Sequence, residues 1–575
     1  MPTVDTRASE AAPRLPDFPT FPVEAVERYR AAGLWGTRTI AQEFRAVASR
    51  FADREAVVDR ERRLTYAELD ANSDAIATGL LAAGLEVGDR VTLQAGNSVG
   101  TIELFYGLLK AGLVPVCTLQ AHGHHEIDSI ATTVGARAHA IDLSERADER
   151  SVFAEEVRER VASVVHLIQT SGGPSLLAGD DVLTLDELRL SPPHAVEAFL
   201  PEADGVGPDD LAVVQLSGGT SGTPKLIPRL HAEYWYNGIA TAERWSVGPE
   251  DRIAHLIPIV HNAGVHAALW PAHSSGACLV LDSLARGLDV FRTVADEGVT
   301  GMLMASSLLD GADHPDLERA VSGLRWISLS GSAPTSRLFD RLSGWGVTVG
   351  QNFGMTEGIV LATPLDSSDQ MRRHTVGTPI SAYDEIRVVD PAEADRECAT
   401  GEPGELLVRG PYTIRGYIGA PEHDALVFTP DGFYRTGDVV AAVEVDGVLA
   451  YRVEGRIKEL INRGGEKVNA AEVESLLLEH PRVVSAAVVA MPDLRLGERG
   501  CAYVITDDGA PLTLDEVRTH FAAREVAKFK WPERVETRTE LPRTAVGKIA
   551  KRLLAEEIAA VVANEGALVE SEGAR

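Results

Sequence analysis

The sequence predicts an α/β protein in which a large amino-terminal domain is followed by a small α+β domain. The chain has 575 residues, which is enough for more than one domain. Strand and helix patterns alternate from Tyr66 onwards, which is typical of parallel sheets covered by helices. After Gly455 the chain changes to a compact mixture of strands and helices. We therefore expect a boundary near Lys458, with domains over residues 1–457 and 458–575.

The alternating part of the chain begins with two helices and two strands. Both helices end in a glycine, which commonly follows the last helical turn. These elements are helices over 67–84 and 101–112 and strands over 89–95 and 113–119. Short apolar runs predict four further strands, over 251–258, 277–281, 301–305 and 326–330.

The pattern changes between residues 401 and 446. Short runs of strand-forming residues are separated there by Gly, Pro and Asp, as in GEPGELLVRGP and PDGFYRTGD. We expect hairpins and a small antiparallel or barrel-like unit. The last domain is predicted to contain helices over 470–479 and 514–524 and strands over 485–490 and 502–505.

The composition excludes several classes of protein. The formal net charge is −30, which is unfavourable for general binding to nucleic acid or to an anionic membrane. The four cysteines lie far apart without C-x-x-C spacing, so neither a disulfide framework nor a zinc site is expected. The amino terminus has no apolar signal segment, and no apolar run reaches the roughly 18 residues of a membrane span. We expect a cytoplasmic protein.

A loop rich in Gly, Ser and Thr follows an apolar run that begins at Val213. The stretch VVQLSGGTSGTPKLIPRLH offers flexible backbone N–H groups, hydroxyls and a lysine, which are the groups that surround a phosphate. It does not follow the common nucleotide loop, because Lys225 is followed by Leu226 and not by a hydroxyl residue. The alternative is a plain surface turn. As a phosphate loop it would comprise Ser217, Gly218, Gly219, Thr220, Ser221, Gly222, Thr223 and Lys225.

Three later motifs carry groups suited to a nucleotide. In QNFGMTEG, Phe353 can stack on a purine, Thr356 can donate to a phosphate, and Glu357 is an oxygen ligand suited to Mg²⁺. In YRTGD, Asp438 can accept hydrogen bonds from two ribose hydroxyls. In LPRTAVGK, Lys548 lies in a glycine-flanked loop of the small domain. Taken singly, these motifs could be a strand end, a hairpin turn and a solvated charge.

Taken together and in this order, the motifs resemble the ANL superfamily of adenylate-forming enzymes, from about Tyr66 to Arg552. QLSGGTSGTPKLIPR, RGPYTIRGY, INRGGEKV, LPRTAVGK and the pair His261-Asn262 are most similar to stand-alone aryl acid adenylating enzymes, such as the 2,3-dihydroxybenzoate–AMP ligases of siderophore assembly. The resemblance implies an ANL/luciferase-like fold. Two αβ sheet subdomains and a small β-barrel-like subdomain would form the large domain, and the small domain would be a mobile lid.

The resemblance also implies an acid–thiol ligase that works in two steps. A carboxylate attacks the α-phosphorus of Mg·ATP to give acyl-AMP and pyrophosphate, and a thiol then takes the acyl group and releases AMP. The groups implied in catalysis are Lys548, Glu357, Thr356 and His261, and those implied in metal binding are Glu357 and Thr220. Beside the 217–225 loop, the implied ATP and AMP site comprises Gly331, Ser332, Ala333, Asn352, Phe353, Gly354, Met355, Asp438 and Arg456.

A lysine on a separate small domain implies movement between the two steps. By the same resemblance the hinge is Lys458, and Gly464 and Gly465 would line the thiol tunnel. Without the resemblance, Lys458 would be interpreted as an ordinary surface lysine in a linker.

The predicted acid pocket departs from the aryl acid subgroup. Its implied residues are His261, Asn262, Ala263, His266, Ser330 and Asn352. The subgroup has an aromatic residue and a serine where this chain has Ala263 and Ala267, so 2,3-dihydroxybenzoate and salicylate are not the expected acids. A neutral Asn262 argues against an α-amino acid, because amino-acid-activating domains usually carry an aspartate there. We expect an aromatic acid in a roomier, more polar pocket, where His266 either hydrogen-bonds to the acid or is a satisfied core histidine.

Other histidines have simpler interpretations. His273 also lies near the predicted pocket in sequence. The loose spacing of His122, His124 and His125 favours the start of a surface helix over a metal site.

The sequence does not decide which of two thiols accepts the acyl group. We favour the phosphopantetheine thiol of a separate carrier protein, and the alternative is an aryl- or acyl-CoA ligase that uses free CoA. A non-catalytic nucleotide-binding protein is a third hypothesis, which the presence of Lys225, Glu357, Asp438 and Lys548 argues against. The acid, the pathway and the choice between monomer and homodimer are not predicted.

Overall fold

A computed structural model describes most of the chain. The described residues are 15–179, 181–191, 205–217, 224–284, 287–309, 312, 314–391, 393, 396–464, 466–543 and 549–573, without the side chains of 307, 467 and 564–573.

Twenty-five strands are found in these ranges. In chain order they are β1 Glu55–Val58, β2 Arg63–Thr65, β3 Arg90–Gln94, β4 Val114–Cys117, β5 Ala138–Ile141, β6 His166–Gln169, β7 Val182–Thr184, β8 Leu211–Leu216, β9 Leu226–Leu230, β10 Arg252–His255, β11 Cys278–Leu281, β12 Gly301–Ala305, β13 Trp326–Ser330, β14 Thr348–Gly354, β15 Val360–Ala362, β16 Thr378–Pro379, β17 Glu385–Val389, β18 Pro403–Arg409, β19 Tyr434–Val445, β20 Val448–Arg456, β21 Leu460–Arg463, β22 Glu466–Asn469, β23 Val483–Asp493, β24 Gly497–Thr506 and β25 Arg534–Thr537.

The α-helices are numbered in the same way. They are α1 Val23–Ala31, α2 Ile40–Arg50, α3 Tyr66–Ala82, α4 Val99–Lys110, α5 His124–Val134, α6 Ala147–Arg160, α7 Leu185–Leu188, α8 His231–Arg244, α9 Asn262–Gly264, α10 Trp270–Ser275, α11 Val290–Asp296, α12 Ser306–Leu309, α13 Leu317–Ser322, α14 Ser336–Gly344, α15 Asp369–His374, α16 Pro421–Val427, α17 Ala470–Leu478, α18 Leu514–Ala522 and α19 Lys551–Gly573. A π-helical turn, Val265–Leu269, joins α9 to α10, and two 3₁₀ turns cover Ile457–Glu459 and Lys528–Lys530.

Two mainly parallel sheets form the large domain. The first has the strand order β7-β6-β5-β3-β4-β8-β9, in which only the β8–β9 pair is antiparallel within the described ranges. The second has the order β16-β15-β14-β13-β12-β10-β11-β1-β2 and is antiparallel only at its two edges, again as far as the described strands go. The parallel strands are short, apolar and buried, as expected of sheets covered on both faces.

The remaining sheets are antiparallel or mixed. Strands β17 to β20 form a four-stranded antiparallel sheet, which is the small third unit of the large domain. The last sheet has the order β22-β21-β24-β23, with β25 parallel to β24. The predicted α/β class, with two αβ sheet units, a small antiparallel unit and an α+β segment, is confirmed.

Side-chain alternation explains how the last sheet is covered. On β23, Val488 faces a core that includes Phe521 of α18, whereas Val489 faces a second core with Leu554 of α19. Both faces of this strand are therefore buried, and it extends beyond the predicted 485–490.

Capping residues fix the helix boundaries. The side chain of Thr65 accepts from the Glu68 N–H, and Glu68 in turn accepts from the Thr65 N–H. This capping box starts α3 at Tyr66, one residue before the predicted 67–84 helix. Gly84, at φ 93°, ends it in a conformation that favours glycine.

The length and apolarity of the described helices bear on whether any of them could cross a membrane. None of the helices that the structure describes has both the length and the apolarity required to cross a bilayer.

Helix α8 packs closely against α10 at Gly238. A Cβ at Gly238 would lie 2.1 Å from the Trp270 Cβ and 3.2 Å from its backbone. Gly238→Ala is therefore expected to destabilise the protein by about 1–3 kcal/mol, although alanine is normally the better helix former by about 1 kcal/mol. Chemical denaturation followed by tryptophan fluorescence would measure this cost.

Gly344 provides the matched control at the end of α14. A Cβ added at Gly344 would have no atom of the described residues within 4 Å. Gly344→Ala should leave the denaturation midpoint unchanged or raise it. A neutral or stabilising Gly238→Ala would contradict the close α8–α10 contact.

Candidate active site

A buried ion pair lies where the two large sheets meet the antiparallel sheet. Arg229 of β9 is 0% exposed. Its Nε donates to Glu233 Oε1 at 2.9 Å and its Nη2 donates to Glu233 Oε2 at 2.7 Å. Burial alone would lower the pKa of Arg229, but the charge of Glu233 outweighs this and holds the pKa above its ordinary value. The guanidinium is therefore a fixed positive charge in the interior.

The remaining N–H groups of Arg229 connect three distant segments. Nη1 donates to the Thr356 carbonyl at 3.1 Å and to Asn262 Oδ1 at 3.4 Å. Nη2 donates to the Tyr412 carbonyl at 3.4 Å. One side chain thus joins the end of the QNFGMTEG motif to the predicted acid pocket.

The orientation of the Asn262 amide is set by its donors. Asn262 Oδ1 accepts from Tyr234 Oη at 2.8 Å as well as from Arg229. Tyr234 Oη in turn accepts from Gln215 Nε2 at 3.1 Å. Because the carbonyl oxygen is committed to these donors, the NH₂ group of Asn262 is the part left for a ligand.

Asn97 holds the loop that carries His261 and Asn262. Its Nδ2 donates to the carbonyls of Ile257 at 2.8 Å and Asp282 at 2.7 Å, and its Oδ1 accepts from the Ile259 N–H at 2.7 Å. His261 then caps α9, since its Nδ1 accepts from the Ala263 N–H at 3.1 Å. The first large sheet therefore fixes a loop of the second.

Glu357 is held by tyrosines. It is 9% exposed, and its Oε1 accepts from Tyr417 Oη at 2.7 Å. Tyr434 Oη lies 3.0 Å from Tyr417 Oη. Burial and the negative charge of Glu357 raise the pKa of Tyr434 far above its ordinary value, so this tyrosine stays a neutral donor.

The strands beside the Gly/Ser/Thr loop bring Lys225 to the same place. The Ser217 N–H donates to the Lys225 carbonyl at 3.0 Å, and the Lys225 N–H donates to Ser217 Oγ at 3.0 Å. Lys225 Nζ lies 5.7 Å from the centre of the Tyr417 ring, whose hydroxyl contacts Glu357. Residues 218–223, which include Thr220, lie outside the described residues.

Adjacent parallel strands place the predicted adenine residues together. Ser330 ends β13 and is followed by Gly331, Ser332 and Ala333, while β14 carries Asn352, Phe353 and Gly354 and leads to Met355. Asn352 Oδ1 accepts from Ser328 Oγ at 3.4 Å, and Ser306 Oγ donates to the Ser332 carbonyl at 2.8 Å. Carboxyl ends of parallel strands are a common ligand position.

Asp438 and Arg456 pair on neighbouring strands. They lie opposite each other on β19 and β20, and Arg456 Nε donates to Asp438 Oδ1 at 2.9 Å. Asp438 is 5% exposed. The charge of Asp438 is the largest cause of the raised pKa of Arg456, so this guanidinium stays charged.

Lys458 lies in the 3₁₀ turn between the antiparallel sheet and the last sheet. Burial and the positive charges of Lys225 and Lys458 lower the pKa of His423. Gly464 has φ 58° between β21 and β22, and its N–H donates to the Leu496 carbonyl at 2.7 Å. Gly465 and Lys548 lie outside the described ranges.

The histidines fall into distinct environments. His273 is a core residue, because its Nδ1 lies 2.8 Å from Tyr106 Oη and its Nε2 lies 3.0 Å from the Ala56 carbonyl oxygen. His124 begins α5 as predicted and lies 2.8 Å from Glu156.

No cluster of three or more His, Cys, Asp or Glu residues suited to a metal ion occurs in the described part of the chain. His266 is buried in the π-helical turn, but its Nδ1 has no hydrogen-bond partner among the described residues.

Sequence reasoning missed several residues of this site. They are Arg229, Glu233, Tyr234, Tyr417 and Tyr434. One signal was present: Arg229 and Glu233 are charged, four residues apart, in the largely apolar run LIPRLHAEYWY. The tyrosines act through partners far away in the sequence, so their spacing gave no signal.

Comparison with known families decides the relationship. Residues 44–418 match the family described as AMP-binding enzyme, and residues 472–548 match its AMP-binding enzyme C-terminal domain. The first match alone covers more than half of the chain.

The chain belongs to the family of AMP-binding enzymes.

This AMP-binding enzyme has relatives that match it over nearly its whole length. It is 40% identical to pyochelin synthase PchD of Pseudomonas aeruginosa, over 94% of this chain and 96% of the relative. It is 37% identical to a 2,3-dihydroxybenzoate-AMP ligase of Bacillus subtilis, over 95% of this chain and 98% of that relative. The solved apo structure of Mycobacterium smegmatis MbtA shares 34% identity, covers 94% of this chain and 98% of its own, and has a TM-score of 0.70. The predicted membership of the adenylate-forming superfamily, near its aryl acid enzymes, is confirmed.

Tyr234→Phe tests the network of the AMP-binding enzyme. The change removes the 2.8 Å hydrogen bond from Tyr234 Oη to the buried Asn262. It also removes the hydroxyl oxygen that accepts from Gln215 Nε2. We expect a loss of about 1–2 kcal/mol in the free energy of unfolding, measured by urea denaturation.

The control for this prediction is Tyr451→Phe. Tyr451 is 7% exposed, and its hydroxyl has no hydrogen bond to a described residue. Tyr451→Phe should alter the free energy of unfolding by no more than about 0.5 kcal/mol. Equal effects of the two substitutions would contradict the role assigned to Tyr234.

Proposed function

We propose that this enzyme activates an aromatic carboxylic acid as acyl-AMP and then transfers the acyl group to the phosphopantetheine thiol of a separate carrier protein. One observation carries the proposal. Arg229 donates both to Asn262, in the acid pocket, and to the carbonyl of Thr356, next to Glu357. The acid and phosphate ends of the site are therefore linked by one buried guanidinium.

This arrangement suits the first step, in which two anions must meet. A carboxylate oxygen forms a bond to the α-phosphorus of ATP, and the bond to pyrophosphate breaks. Fixed positive charge and donors in a dry site stabilise the charge that develops, and rigid positioning avoids the cost of orienting two free reactants. We assign Lys225 and the 217–223 loop to the leaving phosphates, and Asp438 with Arg456 to the ribose.

Glu357 fits a magnesium ligand. It is nearly buried, and in the described part of the chain it forms no salt bridge and is held by neutral tyrosine hydroxyls. A nearly buried carboxylate that lacks a direct ion pair favours the binding of a cation. Mg²⁺ commonly uses one or two carboxylates together with substrate phosphates, so a protein cage is not needed. When bound, the ion would neutralise phosphate charge.

We further propose that the two steps use two positions of a lid. Residues 1–457 form the core and 458–575 the lid, with Lys458 as the hinge. Lys458 lies in a short turn between two sheets, so a rotation there would move the lid relative to the core. Lys548 would serve the first step, and Gly464 with Gly465 would line the path of the thiol in the second.

The acid is proposed to be aromatic and not an α-amino acid. Asn262 offers a neutral NH₂ group instead of a carboxylate, so nothing at this position pairs with an ammonium group. Ala263 and Ala267 are smaller than the aromatic residue and the serine that the resemblance implies at these positions. These features disfavour salicylate and 2,3-dihydroxybenzoate as the preferred acids.

Pyrophosphate exchange with ATP across a panel of aryl acids tests this function. We expect exchange with at least one substituted benzoic or heteroaromatic acid at a kcat/KM above that for salicylate, and none with α-amino acids. A strong preference for salicylate would contradict the interpretation of Ala263 and Ala267. Thioester formation with the best acid, using a phosphopantetheinylated carrier protein or CoA, separates the two acceptors.

Lys548→Ala tests the assigned catalytic lysine. Loss of a positive charge that acts on the reacting oxygens should reduce exchange by about 10²-fold or more. Lys528→Ala is a matched control in the same domain, because Lys528 is exposed and has no ion pair among the described residues. Full exchange activity in Lys548→Ala would refute the role.

A further inference from the structure

Two histidines near the predicted acid pocket are buried without a well-formed hydrogen bond at one or both ring nitrogens. His255 ends β10 and is 0% exposed, and His266 lies in the π-helical turn and is 5% exposed. Both ring nitrogens of His255 and Nδ1 of His266 have no hydrogen bond of ordinary geometry to a described residue. By contrast, both nitrogens of His273, in the adjoining α10, are bonded.

These unpaired nitrogens require an explanation. A buried donor or acceptor that lacks a partner has given up its hydrogen bonds to water and gained none in return. Two such rings are therefore unfavourable unless a ligand or an ordered water completes their hydrogen bonds. Unsatisfied buried groups in native proteins are often found where a ligand binds.

The two rings lie at the acid end of the site. The π-helical turn that carries His266 packs against strand β10, which ends at His255, and against α9, which begins at Asn262. Burial, helped by the charges of Arg229, His261 and His255, lowers the pKa of His266 to about 3. Burial also lowers the pKa of His255 to about 3, against a small opposing effect of the Pro258 carbonyl. Both rings are neutral near pH 7, so each presents one N–H donor and one acceptor nitrogen.

The backbone holds both residues firmly although their rings lack well-formed hydrogen bonds. His255 belongs to a strand whose following loop is fixed by Asn97. Ahead of His266, Gly264 packs so closely on Ile259 that a Cβ would lie 2.4 Å from its carbonyl oxygen. The extra residue of a π-helical turn is frequent at functional positions. The rings are thus positioned in advance of any ligand.

We propose that His255 and His266 form a polar subsite for a neutral hydrogen-bonding substituent on the ring of the acid, away from its carboxylate. The proposal rests on the function proposed above and names the class of acid. A hydroxyl or aromatic amino group can donate to one nitrogen and accept from the other ring. A cationic substituent is disfavoured by Arg229, and a second carboxylate would face two neutral rings.

The test compares acids that differ only in this substituent. Pyrophosphate exchange is measured with 3- and 4-hydroxybenzoate, 3- and 4-aminobenzoate, and the corresponding methylbenzoates. We expect the unaltered enzyme to prefer one hydroxy or amino acid over its methyl analogue by about ten-fold or more in kcat/KM. In His266→Leu and in His255→Leu this ratio should fall by about ten-fold.

Two further variants separate recognition from folding. His266→Asn places an amide near the position of Nδ1 and should keep part of the preference that His266→Leu loses. His139→Leu is the control, because His139 is also 0% exposed and its Nε2 has no partner among the described residues, but it lies in β5. In His139→Leu, the ratio of kcat/KM for the hydroxy or amino acid to that for its methyl analogue should match the ratio of the unaltered enzyme.

The outcomes distinguish the two proposals. Unchanged ratios in both His255→Leu and His266→Leu, or a preference for the methyl analogues in the unaltered enzyme, would overturn the subsite and leave the proposed function intact. Absence of exchange with every acid would overturn the proposed function, and the subsite with it. Melting temperatures of the ligand-free variants, which should not fall, show that each variant is folded.

Discussion

The geometry of the site depends on one charge buried in the interior. Arg229 is stable there only because Glu233 neutralises it and because its other N–H groups find acceptors. Those acceptors belong to segments that carry the acid pocket, the proposed magnesium ligand and the RGPYTIRGY stretch. The contacts that satisfy the guanidinium are therefore also contacts that hold the parts of the site together.

A second set of contacts, around Tyr417, positions the residues that we assign to magnesium and to the leaving phosphates. Tyr417 joins Glu357 through its hydroxyl and Lys225 through its ring. Asp424 accepts twice from the Tyr417 N–H and so fixes the backbone of this residue. One neutral side chain therefore contacts both the carboxylate and the lysine.

Much of the fold could be predicted because its signals are local. Short apolar runs gave the parallel strands, and glycines after the helices gave their ends within a few residues. The Thr65–Glu68 capping box shows why the start of α3 differs by a residue. Strand β23 was predicted too short because its length depends on two helices, one on each face, which are distant in the sequence.

The candidate site was predictable where a motif carries its own chemistry. Lys225, Glu357 and Asp438 stood out by residue type and setting. Arg229 did not, because its role depends on burial and on three remote acceptors. His255 gave no signal either, since no local pattern shows whether a histidine ring will find a partner once buried.

Asn97 suggests how relatives of this enzyme could come to accept different acids. It holds the loop before the pocket through backbone carbonyls and an N–H, without using any side chain of that loop. Replacement of pocket side chains such as Ala263 or His266 therefore leaves this support in place. Substrate range can diverge by single substitutions on a constant frame, which also makes this loop a practical starting point for redesign.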